Sequence, residues 1–180
     1  MVTTKHTIVA LVEDKPGVLN RMASLFRRRG FNIESIAVGS CELPNLSRMT
    51  IVVDGATTAV EQVRKQVDKV IDVVKVFDIS SEAIVARELA LIKVKAGSSS
   101  RSEIIEIEDI FRAGIVDVGT DSVIIEVTGD EEKVNSFISL LRGFGIREIA
   151  RTGRIAMTRG SLGPLQAKGK SPETRSKKTK

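Results

Sequence analysis

The chain has 180 residues, 42% hydrophobic and 28% charged, which supplies a core for one large domain or two small ones and excludes wholesale disorder. Its net charge of +5 resides in residues 168–180, where six Lys/Arg face one Glu, leaving 22 basic and 22 acidic groups on residues 1–167. A neutral body with a charged tail is not the pattern of a nucleic-acid-binding domain, and apolar runs of about five residues fall far short of the roughly 20 a membrane helix needs. The polar start, Met-Val-Thr-Thr-Lys-His, lacks the apolar stretch of a secretion signal. The single cysteine, Cys41, permits no internal disulfide. The expectation is a cytoplasmic protein with no membrane and no nucleic-acid partner.

In chain order, residues 7–12 (Thr-Ile-Val-Ala-Leu-Val) read as a central strand, apolar on both faces. Residues 13–17 (Glu-Asp-Lys-Pro-Gly) form a loop in which Pro16 suits a first helical turn. Val18, Leu19, Met22, Ala23, Leu25 and Phe26 recur at helical spacing, Arg27, Arg28 and Arg29 favour the negative end of the dipole, and Gly30 stops the helix. A strand from Phe31 to Val38 follows, then a break at residues 39–45. Arg48 to Asp54 is the third strand, with Met49, Ile51 and Val53 at period two. Thr58 and Glu61 make a candidate capping box for a helix with Val60, Val63, Val67, Val70 and Ile71 on one face, and Val73 to Ile79 closes the unit.

The same order returns about 81 residues later, after a linker at residues 80–87. Glu88 to Lys95 is a strand with Leu89, Leu91 (or Ile92) and Val94 alternating. Ser100 and Glu103 make a second candidate capping box before a helical stripe of Ile104, Ile107, Ile110 and Phe111. Ile115 to Val118 and Val123 to Val127 are strands joined by a turn at residues 119–121. Asp130 caps a helix carrying Val134, Phe137, Ile138 and Leu141; Gly143 and Gly145 end it, and Ile146 to Ala150 is the last strand. The fold class is therefore α+β: two tandem ferredoxin-like βαββαβ domains, residues 1–80 and 81–160, each an antiparallel sheet with its helices on one face. Residues 161–180 read as a basic, disordered tail.

Catalytic signatures are missing. The one histidine, His6, reads as an exposed terminal residue with no triad around it. No Cys/His cluster offers metal ligands, Cys41 reads as an inert loop thiol, and neither a Walker A loop nor a G-x-G-x-x-G fingerprint occurs. RNA-recognition domains share this element order but stack bases on strand aromatics; here only Phe31 and Phe77 are available.

The informative segment is Asp14-Lys15-Pro16-Gly17-Val18-Leu19. It joins a central strand to a helix N-terminus with Gly17 inside the first turn; free N–H groups there attract an anion, and Gly17 allows close backbone approach. An amino acid's carboxylate suits that terminus. Asp14, or the amide oxygen of Asn32 on what reads as an adjoining strand start, suits its ammonium. Plainer readings stand beside this one: Asp14 as a helix cap and Gly17 as a turn residue.

Val-Glu-Asp-Lys-Pro-Gly-Val-Leu (12–19) and Arg-Arg-Gly-Phe-Asn-Ile-Glu-Ser (28–35) resemble an ACT domain. Together with Leu46 to Ile51, Arg87 to Val94, Ile107 to Arg112, Ile115 to Val118 and Ile149 to Gly153, they resemble more narrowly the small regulatory subunits of acetohydroxyacid (acetolactate) synthase, over about residues 5–160. The resemblance implies a non-catalytic subunit that activates a large catalytic subunit and confers feedback inhibition, usually by valine. The cofactors it implies, thiamine diphosphate, Mg²⁺ and FAD, belong to that large subunit and none to this chain. It further implies a homodimer built by side-by-side ACT domains, with the effector held by Asp14, Pro16, Gly17, Val18 and Leu19 of one chain and Asn32 and Ile33 of the other. Many members have asparagine where this chain has Asp14, which bears on which branched-chain amino acid is bound. The second repeat has Ala96-Gly97-Ser98-Ser99 in place of the loop, implying docking or transmission there. The competing reading is an ACT-type amino-acid-binding module regulating a different metabolic enzyme.

Overall fold

The computed structural model describes residues 5–160, apart from residue 56 and the side chains of residues 57–59. The expected tail at 161–180 lies outside the described residues. Those that are described divide into two compact units, 5–85 together with 156–160, and Ala86–Ile155.

The first unit runs β1 (Lys5–Glu13), α1 (Val18–Arg28), β2 (Ile33–Ser40), β3 (Leu46–Asp54), α2 (Thr57–Val67) and β4 (Val73–Asp78). Its antiparallel sheet has the order β2-β3-β1-β4. Strand alternation puts Ile8, Ala10 and Val12 of β1 beside Met49, Ile51 and Val53 of β3, on the face that packs against Met22, Leu25 and Phe26 of α1 and Val60, Val63 and Val67 of α2. The other face is buried as well at Val9, Leu11 and Val52. There the Arg48 guanidinium donates to the Ala156 carbonyl at 2.8 Å. A strand covered on both sides explains why β1 is a continuous apolar run.

The second unit comprises β5 (Ile84–Lys95), α3 (Arg101–Phe111), β6 (Gly114–Val118), β7 (Ser122–Gly129), α4 (Glu131–Leu141) and β8 (Ile146–Arg151), in the order β6-β7-β5-β8. A ninth strand, β9 (Ile155–Thr158), also pairs with β5. Ala90, Ile92, Val94, Val123, Ile125 and Val127 form the buried sheet face, under Ile104 of α3 and Val134, Phe137, Ile138 and Leu141 of α4. The α+β class, the repeated order and the one-sided helices are as the sequence indicates.

Several local expectations are corrected. His6 is 5% exposed, because β1 starts at Lys5 and pairs His6 with Val53; its Nδ1 lies 3.7 Å from the Asp78 carboxylate. α2 begins at Thr57, so Thr58 lies inside the helix and not at its cap. Ser100 does hold the N-cap position of α3, but its hydroxyl accepts from the Gly97 N–H at 3.1 Å instead of bonding into the helix. Ile71 and Ile110 are 81% and 77% exposed: Ile71 lies beyond the end of α2, and Ile110 turns away from the core face. β5 begins at Ile84, inside the expected linker, and buries Ala90, Ile92 and Val94, so Leu89 and Leu91 take the other face. α4 gives way at Arg142 to a single 3₁₀ turn before Gly145.

Two exposed features yield predictions. Asp130, in extended conformation ahead of α4, accepts from the Lys133 N–H at 2.9 Å. Asp130→Ala leaves that amide without its cap, and the expected loss is about 1 kcal/mol, measured by urea unfolding. Glu61 takes two hydrogen bonds of 2.8 Å from Arg64, which pull its carboxyl from 4.5 down to about 2, with Lys65 adding to the pull. A depressed carboxylate contributes stability that is in place above its unfolded value and disappears as pH falls through the folded one. A carbon-13 NMR titration is therefore expected to place Glu61 near 2 in the native chain, and clearly higher in Arg64→Ala.

Candidate functional site

The loop after β1 is fixed by its neighbours. The Glu13 N–H donates to the Asp72 carbonyl at 2.9 Å, and the Asp14 N–H to the Asn45 carbonyl at 2.9 Å. Asn45 itself turns left-handed at φ 61°. The chain then folds back, with the Lys15 N–H on the Glu13 carbonyl at 3.0 Å and the Lys15 ammonium on the Glu13 carboxylate at 2.7 Å. That carboxylate raises the pKa of Lys15 above its ordinary value. Gly17 follows as the N-cap of α1, at φ 87° and ψ −11°. A left-handed residue cannot belong to the helix, so α1 starts at Val18, and Pro16 and Gly17 precede its first turn. This corrects the expected placement of both.

No side chain caps α1, so Asp14 is not the helix cap that the plainer reading makes it. The first i to i−4 bond of the helix runs from the Arg21 N–H to the Gly17 carbonyl at 3.0 Å. The amides of Leu19 and Asn20 come before it and have no acceptor within the helix, and the Val18 N–H makes only a long 3.5 Å contact to the Lys15 carbonyl. These donors sit at the positive end of the helix dipole. A Cβ at Gly17 would meet nothing within 4 Å, so the approach to them is open. Arg21 stands one turn along, held by an ion pair with the buried Asp72. Amides, dipole and cations together can take a carboxylate, and Asp14, exposed at the rim, can accept from an ammonium.

The other expected residues are placed as follows. Pro16 and Leu19 are exposed, Leu19 at 52%, whereas the Val18 side chain is 4% exposed and belongs to the core, leaving only its backbone to the loop. Asn32 is exposed just before β2, and Ile33 is half-buried as the first residue of that strand. They do not adjoin the loop. Asp14 bonds next to the start of β3, while Ile33 pairs with Val53 near its end. Seven steps along β3 separate the two places, roughly 23 Å at about 3.3 Å per residue. Within one chain the sheet therefore holds the two halves of the expected site at opposite ends, and any pocket using both needs two chains. Sequence reasoning missed Arg21, Asn45 and Asp72; only Arg21, four residues after Gly17, carried a readable signal.

The equivalent loop of the second unit is built differently. Ser100 takes the Gly97 N–H, and Arg101 donates to the carbonyls of Ala96, Gly119 and Thr120 at 2.8–3.3 Å. Side chains thus bind this loop's own backbone, although α3 has no side-chain cap either, and no left-handed glycine opens its helix. Among the described residues no cluster of His, Cys, Asp or Glu could hold a metal, and no helix is long and apolar enough to cross a membrane.

The βαββαβ unit whose first loop reaches an uncapped helix through a left-handed glycine belongs, by its match to a family model, to the ACT-domain class. Residues 8–75 match the AHAS small subunit-like ACT domain, and residues 87–160 match the small subunit of acetolactate synthase. The chain is 61% identical over 157 residues to a probable acetolactate synthase small subunit of Archaeoglobus fulgidus, covering 87% of this chain and 98% of that one. It is 51% identical to the acetolactate synthase small subunit of Mycobacterium bovis, covering 91% and 97%. The crystal structure of the acetolactate synthase small subunit from Thermotoga maritima superposes with a TM-score of 0.81 at 45% identity, covering 88% and 99%. The chain belongs to the acetolactate synthase small-subunit family.

Proposed function

We propose that the chain is the non-catalytic regulatory subunit of acetolactate synthase. It raises the activity of a large catalytic subunit and confers inhibition by valine or another branched-chain amino acid. The observation that carries this reading is the uncapped N-terminus of α1 behind Gly17, an amino-acid-sized anion site in a family of enzyme subunits. Two chains join through their β2 edges into one continuous sheet, which brings Asn32 and Ile33 of one chain to the Asp14–Leu19 loop of the other. Thiamine diphosphate, Mg²⁺ and FAD are carried by the catalytic subunit, and the assembly works in the cytoplasm.

Feedback effectors act at roughly 10 μM to 1 mM, equivalent to about −4 to −7 kcal/mol. A ligand the size of valine reaches that range only if both of its charged ends are matched, by the α1 amides at one end and Asp14 with the partner's side of the pocket at the other. Binding at a junction between chains changes the geometry of the dimer, and through it the activity of the enzyme. The test is reconstitution: the chain alone is inactive, and mixed with the catalytic subunit it raises turnover and makes it sensitive to a branched-chain amino acid. A catalytic subunit whose rate and amino-acid sensitivity do not change on mixing refutes the reading.

A further inference from the structure

The outer surface of the first unit's helix layer carries a groove that begins at Asn20 and Arg21, beside the effector site, and runs along α1 to Arg28. It has a volume of about 480 Å³ and lies between α1 and the turn that follows α2. Leu25, Val70 and Ile71 form its apolar floor and wall, and Arg21, Arg27 and Arg28 are its charged lining. No carboxylate lines it. Arg21 is committed to Asp72, whereas Arg27 and Arg28 make no ion pair among the described residues. Ile71, 81% exposed, projects where the helix has already ended. An exposed isoleucine beside uncompensated cations gains nothing for the isolated fold.

An amino-acid effector does not suit this groove, because the Arg27 and Arg28 guanidinium groups repel its ammonium and no carboxylate lines the groove to answer it. A segment carrying two or three acidic residues around an apolar side chain does suit it: its carboxylates meet the arginines, and its apolar tip covers Ile71 and Val70. We infer that this groove is the docking face for such an acidic, apolar-tipped segment of the catalytic subunit, an inference that rests on the regulatory role proposed above. Charge complementarity then sets the rate and register of assembly, and burial of Ile71 adds to its lifetime. The docking element is α1 itself, the helix whose first turn also faces the effector site, so one rigid helix links the two events.

The experiment uses the full chain with the large catalytic subunit of acetolactate synthase and two variants, Arg27→Glu with Arg28→Glu, and Ile71→Ser. Ile71 is so exposed that its replacement leaves the fold intact. Each variant is expected to raise the concentration needed for half-maximal activation by roughly tenfold or more. Calorimetric binding of the branched-chain effector to the free chain stays unchanged. Added salt weakens the wild-type assembly and has less effect on the double-arginine variant. Unchanged half-activation concentrations in both variants overturn the inference. So does a change in the chain's own oligomeric state by sedimentation, which makes a second copy the occupant. A wild-type chain that does not associate with the catalytic subunit at all overturns the regulatory reading, and this inference with it.

Discussion

Gly17→Asp is expected to abolish the amino-acid response while activation of the catalytic subunit stays within about twofold. Gly17 lies at φ 87° with nothing within 4 Å of a prospective Cβ, so the cost of substitution is backbone strain and not collision. Aspartate and asparagine are the side chains best able to adopt this conformation, at about 1–2 kcal/mol. A domain stability of about 5–15 kcal/mol absorbs that cost, and a carboxylate at the N-cap of α1 complements the helix dipole. The variant therefore folds. The same carboxylate stands where the effector's carboxylate would bind, and two like charges about 4 Å apart repel by about 4 kcal/mol at a surface site. Against an effector affinity of about −4 to −7 kcal/mol, that loss leaves essentially no binding. Gly17→Asn separates charge from bulk, since it has the same shape and strain but no charge, and it is expected to retain a weakened response. Inhibition titrations and calorimetry read both variants. Normal potency in Gly17→Asp would place the effector elsewhere.

What the sequence discloses and what it hides divide along physical lines. Helix faces with several large apolar residues, such as Val134, Phe137, Ile138 and Leu141, are legible because all of them are buried together. Ile71 and Ile110 fit the same spacing yet are exposed, because periodicity alone does not reveal where a helix stops or which side of its stripe meets the core. β5 was ambiguous since Leu89, Leu91, Ala90, Ile92 and Val94 are apolar on both faces; the register with Ile125 and Val127 decides, and register is a long-range property. β9, only four residues long, gives no pattern. His6 looks like a terminal residue until the length of β1 is known. In the site, Pro16-Gly17 announces the start of a helix, but the left-handed φ that sets Gly17 and Pro16 ahead of its first turn is not legible in the residue types. The remoteness of Asn32 from this loop was invisible in the chain order, because it follows from antiparallel pairing of β2 with β3.

That remoteness gives the second large effect, in mixed dimers. Asn32 is exposed and outside β2, so Asn32→Ala is expected to fold normally and, like Gly17→Asp, to lose effector binding. In an isologous dimer each pocket takes its loop from one chain and its Asn32 from the other. A heterodimer of the two variants then has one pocket with both defects and one with neither. Random mixing by co-refolding makes about half of the dimers heterodimers, so about a quarter of the wild-type number of sites should reappear at wild-type affinity. If loop and asparagine instead served one pocket within a single chain, every pocket in the mixture would carry a defect and nothing would be regained. Calorimetric stoichiometry distinguishes the two outcomes, with native mass spectrometry confirming that heterodimers formed. The separation of roughly 23 Å along β3 favours recovery, because no side chain spans that distance. A confirmed heterodimer without recovered binding would put loop and asparagine in one pocket of a single chain, whereas normal binding by Asn32→Ala alone would remove Asn32 from the site and return effector recognition to the α1 loop.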